Sequence, residues 1–140
     1  MKCSELMHSP TTCLPHERLM DALAIMGAQD VGAVPVVEDR EGLRPLGIVT
    51  DRDAALLLGR IDRRASEITC REAMTTPAVT CEADDDIKDA VELMRRHQLR
   101  RMLVTENGRL VGIIAQADLA REKSGEAKKV LEDVSQPKAA

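Results

Sequence analysis

The sequence predicts an α+β fold made of two copies of one β-α-β-β-α unit, each of roughly sixty residues. Three observations predict it. Blocks of sequence recur in the same order along the chain. Apolar residues repeat at helical spacing in each copy. Each copy also carries two short runs of strand-forming residues separated by a turn.

The recurrence appears when the chain is laid on itself. Leu6-Met7-His8-Ser9-Pro10 falls on Ala73-Met74-Thr75-Thr76-Pro77. After one extra residue in the second copy, Asp21-Ala22-Leu23-Ala24-Ile25-Met26 falls on Asp89-Ala90-Val91-Glu92-Leu93-Met94. Val34-Pro35-Val36-Val37-Glu38 then falls on Met102-Leu103-Val104-Thr105-Glu106. After a three-residue surplus in the first copy's turn, Leu46-Gly47-Ile48-Val49-Thr50-Asp51-Arg52-Asp53 falls on Val111-Gly112-Ile113-Ile114-Ala115-Gln116-Ala117-Asp118.

Each element follows from local pattern. Leu19, Leu23 and Met26 lie at i, i+4 and i+7, one face of a helix, and Ile87, Val91 and Met94 repeat the spacing. Strands are expected at Val34 to Val37 and at Met102 to Thr105. The second is followed by Asn107-Gly108, a strong hairpin signal because both residues tolerate positive φ. The looser turn of the first copy runs from Asp39 to Pro45. Return strands are expected at Leu46 to Val49 and Leu110 to Ile114. A second helix starts near Asp51, with Gly59 as its stop signal, and its counterpart starts near Gln116. Residues 1–65 and 66–121 are read as the two repeats. Residues 122–140 form a charged tail, partly helical around Ala127 to Val134 or disordered.

One such unit holds only a hairpin and two helices, and a lone hairpin is marginal in water. Two units packed sheet against sheet would share a core. That core must be aliphatic, because the chain has no Phe, Tyr or Trp. The same absence removes base-stacking platforms, and a net charge of -4 argues against non-specific nucleic-acid binding. No apolar run reaches the length of a membrane span, and the start lacks the apolar core of a signal peptide. A cytoplasmic protein with reduced thiols is therefore expected.

The run from Leu46 to Asp53, following Gly32-Ala33-Val34-Pro35-Val36-Val37, resembles the second half of a CBS repeat. Arg100-Arg101-Met102-Leu103-Val104 with Leu110 to Asp118 is similar, so the chain to about residue 121 resembles a CBS-domain pair, or Bateman module. The resemblance implies repeats packed about a pseudo-twofold axis, with two clefts that commonly take AMP, ADP, ATP, S-adenosylmethionine or NAD-type ligands. It implies a regulatory role without catalysis, no required cofactor, a homodimer, and output to that dimer or to a separate protein partner.

The family signature is Gly-x-x-Thr/Ser-x-x-Asp, in which the Asp accepts from ribose hydroxyls. The first copy matches at Gly47, Thr50 and Asp53. A carboxylate suits a vicinal diol, and a helix start can offer free N–H groups to phosphate. Thr50-x-x-Asp53 is equally close to a plain capping box. By position in the family, this cleft would be completed by Ile48, Ala78, Val79, Arg100 and Arg101, the arginines serving phosphate. The weaker second cleft would use Asp118, Ile113, Thr11, Thr12, Gly32 and Ala33. Ala115 stands there in place of the signature hydroxyl. Arg95 and Arg96 read as a solvated face and His97 as a helix-end residue.

Two other readings remain open. The clefts could be vestigial in a stress-response interaction module. Alternatively Cys13 and Cys81, at nearly equivalent places in the two copies, could approach each other in a thiol or metal sensor. No Cys or His pair has the local spacing typical of zinc sites, so no metal is expected. The chain also lacks a Walker-type loop, a G-x-G-x-x-G run and any recognisable nucleophile arrangement.

Overall fold

The computed structural model describes residues 1–121; the expected tail helix falls outside them. The regular elements are α1 (Leu19–Gln29), β1 (Ala33–Val37), β2 (Pro45–Thr50), α2 (Asp51–Arg60), α3 (Cys70–Ala73), β3 (Thr80–Glu82), α4 (Ile87–His97), β4 (Arg101–Glu106), β5 (Arg109–Ala115) and α5 (Gln116–Arg121). Short 3-10 turns lie near the start of the first repeat, at Cys3–Glu5, and at the boundary of the two repeats, at Ala65–Glu67. The chain is α+β, as the repeat pattern predicts.

Two compact units form, and they cross the sequence repeats. One contains residues 10–78 with 108–110; the other contains residues 1–9, 79–107 and, of the described residues, 111–121. They are named here for the acids at their second helices, the Asp53 unit and the Asp118 unit. The leading residues of each sequence repeat thus pack with the body of the other.

In the Asp53 unit, β1 and β2 pair antiparallel, with Pro35 opposite Ile48 and Ala33 opposite Thr50. The strand expected before α1 shrinks to one parallel bridge between Cys13 and Val36. Cys13 N–H bonds Pro35 O at 3.0 Å and Val37 N–H bonds Cys13 O at 3.0 Å. The next donor in that ladder would be residue 15, and Pro15 has no N–H, so pairing stops. In the other unit the equivalent residue is Ala83, whose N–H bonds Thr105 O at 2.9 Å; there β3 pairs parallel with β4 in a three-stranded sheet of order β3-β4-β5.

The helical faces read from spacing are the buried ones. Leu19 and Met26 of α1 are buried with Ala22 against Val34, Val36, Val49 and Ile68, while Leu23, the third residue of the expected face, is half-buried at the edge of that cluster. Ile87, Val91 and Met94 of α4 pack with Met102, Val104, Ile114 and Leu119. Both α1 and α4 end on a left-handed residue, Asp30 at φ 53 and Gln98 at φ 53. The Asn107-Gly108 turn has φ 54 and 76, as the hairpin signal requires. Gly59 does not stop α2. The helix continues through Arg60, and Ile61 N–H closes on Leu57 O at 3.2 Å.

Candidate functional site

In the Asp53 unit the signature residues sit where β2 hands over to α2. Thr50 is the N-cap: its Oγ1 accepts from Asp53 N–H at 3.0 Å, and Asp53 Oδ2 accepts from Thr50 N–H at 3.3 Å. The capping box read from sequence is therefore formed. It is not the whole story of Asp53, because Thr75 Oγ1 donates to the same Oδ2 at 3.0 Å. Thr75 arrives on an extended segment beside β2. Its N–H bonds Ile48 O at 2.8 Å, and Ile48 N–H bonds Thr75 O at 3.2 Å. Gly47 makes that approach possible: a Cβ there would stand 2.5 Å from Thr75 O. The signature glycine, threonine and aspartate thus serve one junction, at which a half-exposed carboxylate is aimed by a hydroxyl and an amide. The carboxylate opens onto a groove of about 410 Å³, lined among others by Leu57, Arg60 and Met74.

The helix start itself is not a phosphate cradle. Asp51 N–H bonds Gly32 O at 3.0 Å, Arg52 N–H bonds Asp51 Oδ1 at 2.8 Å, and Asp53 N–H is held by Thr50. The free donors expected from the sequence are already satisfied, and two carboxylates, Asp51 and Asp53, stand in the first turn. An anionic group here must be met by side-chain cations.

The Asp118 unit carries the degraded copy. Asp118 is buried, and its Oδ2 accepts from Ala115 N–H at 2.6 Å, so half of the capping box survives without the hydroxyl. Oδ1 is bonded by His8 Nε2. His8 pairs with β5 as Thr75 pairs with β2: His8 N–H to Ile113 O and Ile113 N–H to His8 O, both at 2.9 Å. A Cβ on Gly112 would stand 2.7 Å from Met7 Cβ. Neither Thr75 nor His8 was singled out from the sequence. The signal was present, since the two fall on each other when the repeats are aligned.

The other expected residues divide between the units. Ile48, Thr50, Asp53 and Ala78 lie in the Asp53 unit, whereas Val79, Arg100 and Arg101 lie in the Asp118 unit. Arg101 opens β4, and Arg100 O accepts from Gln116 N–H at 2.8 Å. Of the second set, Ile113 and Asp118 lie in the Asp118 unit, and Thr11, Thr12, Gly32 and Ala33 in the Asp53 unit. There Thr11 Oγ1 accepts from Gln29 Nε2 at 2.7 Å, and Ala33 is buried in β1.

The cysteines do not pair as the repeat suggested. Cys13 lies with Cys70, and Cys81 lies with Cys3, all four buried. Each pair joins a residue of one sequence repeat to the leading segment of the other. No group of three or more His, Cys, Asp or Glu residues suited to a metal ion occurs among the described residues. No helix among them is long and apolar enough to cross a membrane.

The family model for the CBS domain matches residues 3–60 and again 66–125. The chain is 37% identical over 129 residues to the uncharacterized protein YlbB of Bacillus subtilis (strain 168), spanning 89% of this chain and 84% of that one. Among solved structures it is similar to hypoxic response protein I with two coordinated zinc ions, at 31% identity and a TM-score of 0.76, covering 89% of this chain and 100% of that one. It is also similar to the CBS domain protein PAE2072 from Pyrobaculum aerophilum complexed with AMP, at 25% identity and a TM-score of 0.76, covering 96% and 98%. On the two family matches and the fold they share with these structures, the chain belongs to the CBS domain family and carries the domain twice in tandem.

Proposed function

We propose that this chain is a regulatory module that binds an adenine nucleotide through Asp53 and passes the bound state to a second copy of itself or to a separate protein. One observation carries the reading. Asp53 is a half-exposed carboxylate fixed by Thr50 and Thr75 at the mouth of a groove, with the second oxygen, Oδ1, taking no hydrogen bond from a described residue. A carboxylate held in this way is an acceptor for a vicinal diol. That a similar protein is complexed with AMP supports a ribose-bearing ligand.

By position in the family, Ile48, Ala78, Val79, Arg100 and Arg101 are the further residues of the proposed site, Ile48 and Ala78 lying in the same unit as Asp53. Because the helix-start amides are satisfied internally, the arginines carry the proposed contact to phosphate. Ligand binding shifts a conformational equilibrium only by its difference in affinity between two states, so the module needs no chemistry of its own. The thiol and metal readings are not favoured, since the cysteines are buried in pairs and no group of three or more metal-ligating side chains occurs among the described residues.

A thermal-shift panel with AMP, ADP, ATP, NAD and S-adenosylmethionine tests the proposal. At a hundredfold over its dissociation constant a ligand stabilises by about 2.7 kcal/mol. The expected result is a shift with at least one ligand that Asp53→Asn sharply reduces. No shift with any ligand, or one indifferent to Asp53→Asn, would sink it.

A further inference from the structure

The two junctions are built alike and differ at one contact. In each, the segment led by Met74 or Met7 lies against the signature glycine and pairs with the return strand, and one of its side chains bonds the signature aspartate. Repeat alignment makes Thr75 the counterpart of His8 and Asp53 the counterpart of Asp118.

The consequences for the carboxylates are different. At Asp53 the threonine hydroxyl and the Thr50 amide share Oδ2, which leaves Oδ1 with no hydrogen bond from a described residue. At Asp118 the Ala115 amide takes Oδ2 and the imidazole takes Oδ1, so both oxygens are engaged within the unit. Reach explains the change: a threonine hydroxyl ends close to its backbone, whereas imidazole Nε2 extends far enough to meet the outer oxygen. The Asp118 side chain is only 4% exposed, while the His8 side chain is 60% exposed. The ring therefore stands over the carboxylate on its solvent side.

We infer that His8 is an internal occupant of Asp118, taking the place a ribose hydroxyl would fill, and that it restricts the chain to one nucleotide per polypeptide. This rests on the reading of Asp53 as a ribose acceptor, extended to its counterpart. A ligand at Asp118 must first displace a hydrogen bond to a charged group, which weakens it by at least about tenfold. Because the ring is mostly exposed, the occupant can be removed by substitution without opening the core.

The test uses the whole chain and labelled AMP in equilibrium dialysis, with wild type, Asp53→Asn, Asp118→Asn, His8→Thr and the double variant His8→Thr/Asp118→Asn. His8→Thr installs the residue found at the equivalent place, and Asp118→Asn keeps an oxygen for the Ala115 amide. Melting temperatures confirm that each variant is folded. The expected result is one AMP per wild-type chain, lost in Asp53→Asn, and a second AMP in His8→Thr, lost in the double variant. The inference is overturned if His8→Thr gains no second AMP, or if wild type already binds one that Asp118→Asn removes. The first-site result reports separately on the Asp53 reading: if Asp53→Asn changes nothing while His8→Thr gains an Asp118-dependent site, that reading fails and this one stands.

Discussion

Cys81 Sγ donates to Cys3 Sγ across 3.7 Å in the core of the Asp118 unit. Cys13 and Cys70 repeat the pairing in the other unit, and both pairs occupy equivalent positions of the aligned repeats. Within each pair the thiols titrate in opposite directions. The hydrogen bond from the partner holds Cys3 and Cys70 below the ordinary thiol range. Donating that bond, and then burial, pushes Cys81 and Cys13 far above it.

A pH dependence follows, and its sign can be worked out. Unfolded thiols titrate near about 8.5. Above that value the unfolded chain sheds protons that the fold retains at Cys13 and Cys81, so their stabilising contribution is present at neutral pH and lost as pH rises. The lowered thiols act oppositely, but their contribution is gained as pH rises to the ordinary thiol range, so above that range the raised pair sets the slope. The urea midpoint is expected to fall between about pH 8 and 10. Replacing Cys13 and Cys81 by Ala should flatten that fall, and an unchanged slope in the double variant would contradict the assignment.

Gly47 supplies a packing prediction. A Cβ there would meet Thr75 O at 2.5 Å and both Met74 Sδ and Thr76 Cγ2 at 3.1 Å, and the carbonyl is tied to Ile48 and cannot retreat. Gly47→Ala is expected to cost about 1–3 kcal/mol by overpacking. Gly27, inside α1, has no heavy atom within 4 Å of its added Cβ. Gly27→Ala should stabilise by about 0.5–1 kcal/mol through helix propensity. Denaturant midpoints of the two variants, moving in opposite directions, check both statements.

Much of this architecture was legible because it is local. The spacing of Ile87, Val91 and Met94, the Asn107-Gly108 turn and the Thr50/Asp53 box all declare themselves within a few residues of chain. The rest depends on which distant segment lies beside them. Nothing near His8 announces Ile113 as its backbone partner, because a single bridge carries no periodicity. The donors at the start of α2 looked free because the carbonyl that satisfies Asp51 N–H belongs to Gly32, at the far end of the β1–β2 hairpin in sequence. Cys13 and Cys81 looked like partners because equivalence within a repeat is not proximity. The leading segments change units, and each cysteine finds its neighbour there.

The half-formed cap at Ala115 offers a gain. Thr50 accepts from the backbone of Asp53 and Ala115 has no group to do the same for Asp118, although the reverse bond is present. Ala115→Thr is expected to stabilise by about 0.5–1 kcal/mol, and Thr50→Ala to cost about 1 kcal/mol. If the two changes shift thermal unfolding in the same direction, the junctions are not equivalent caps.

The satisfied amides at the start of α2 lead to a prediction about the ligand's charge. With Asp51, Arg52 and Asp53 N–H all bonded within the unit, a phosphate gains nothing from the helix end and meets two carboxylates in the first turn. Any preference for AMP over adenosine must come from guanidinium groups, whose planar forks of donors match phosphate oxygens. Arg100→Ala and Arg101→Ala should each lower AMP affinity by about tenfold, the size of one charge-assisted contact, while leaving adenosine affinity nearly unchanged. Arg60, on the groove beside Asp53, is the competing candidate and should behave this way only if the phosphate turns along α2. Calorimetric titration of the three variants with both ligands separates the possibilities. If AMP keeps its advantage over adenosine in all three, the helix start does bind phosphate, and the amides found bonded here must be released on binding.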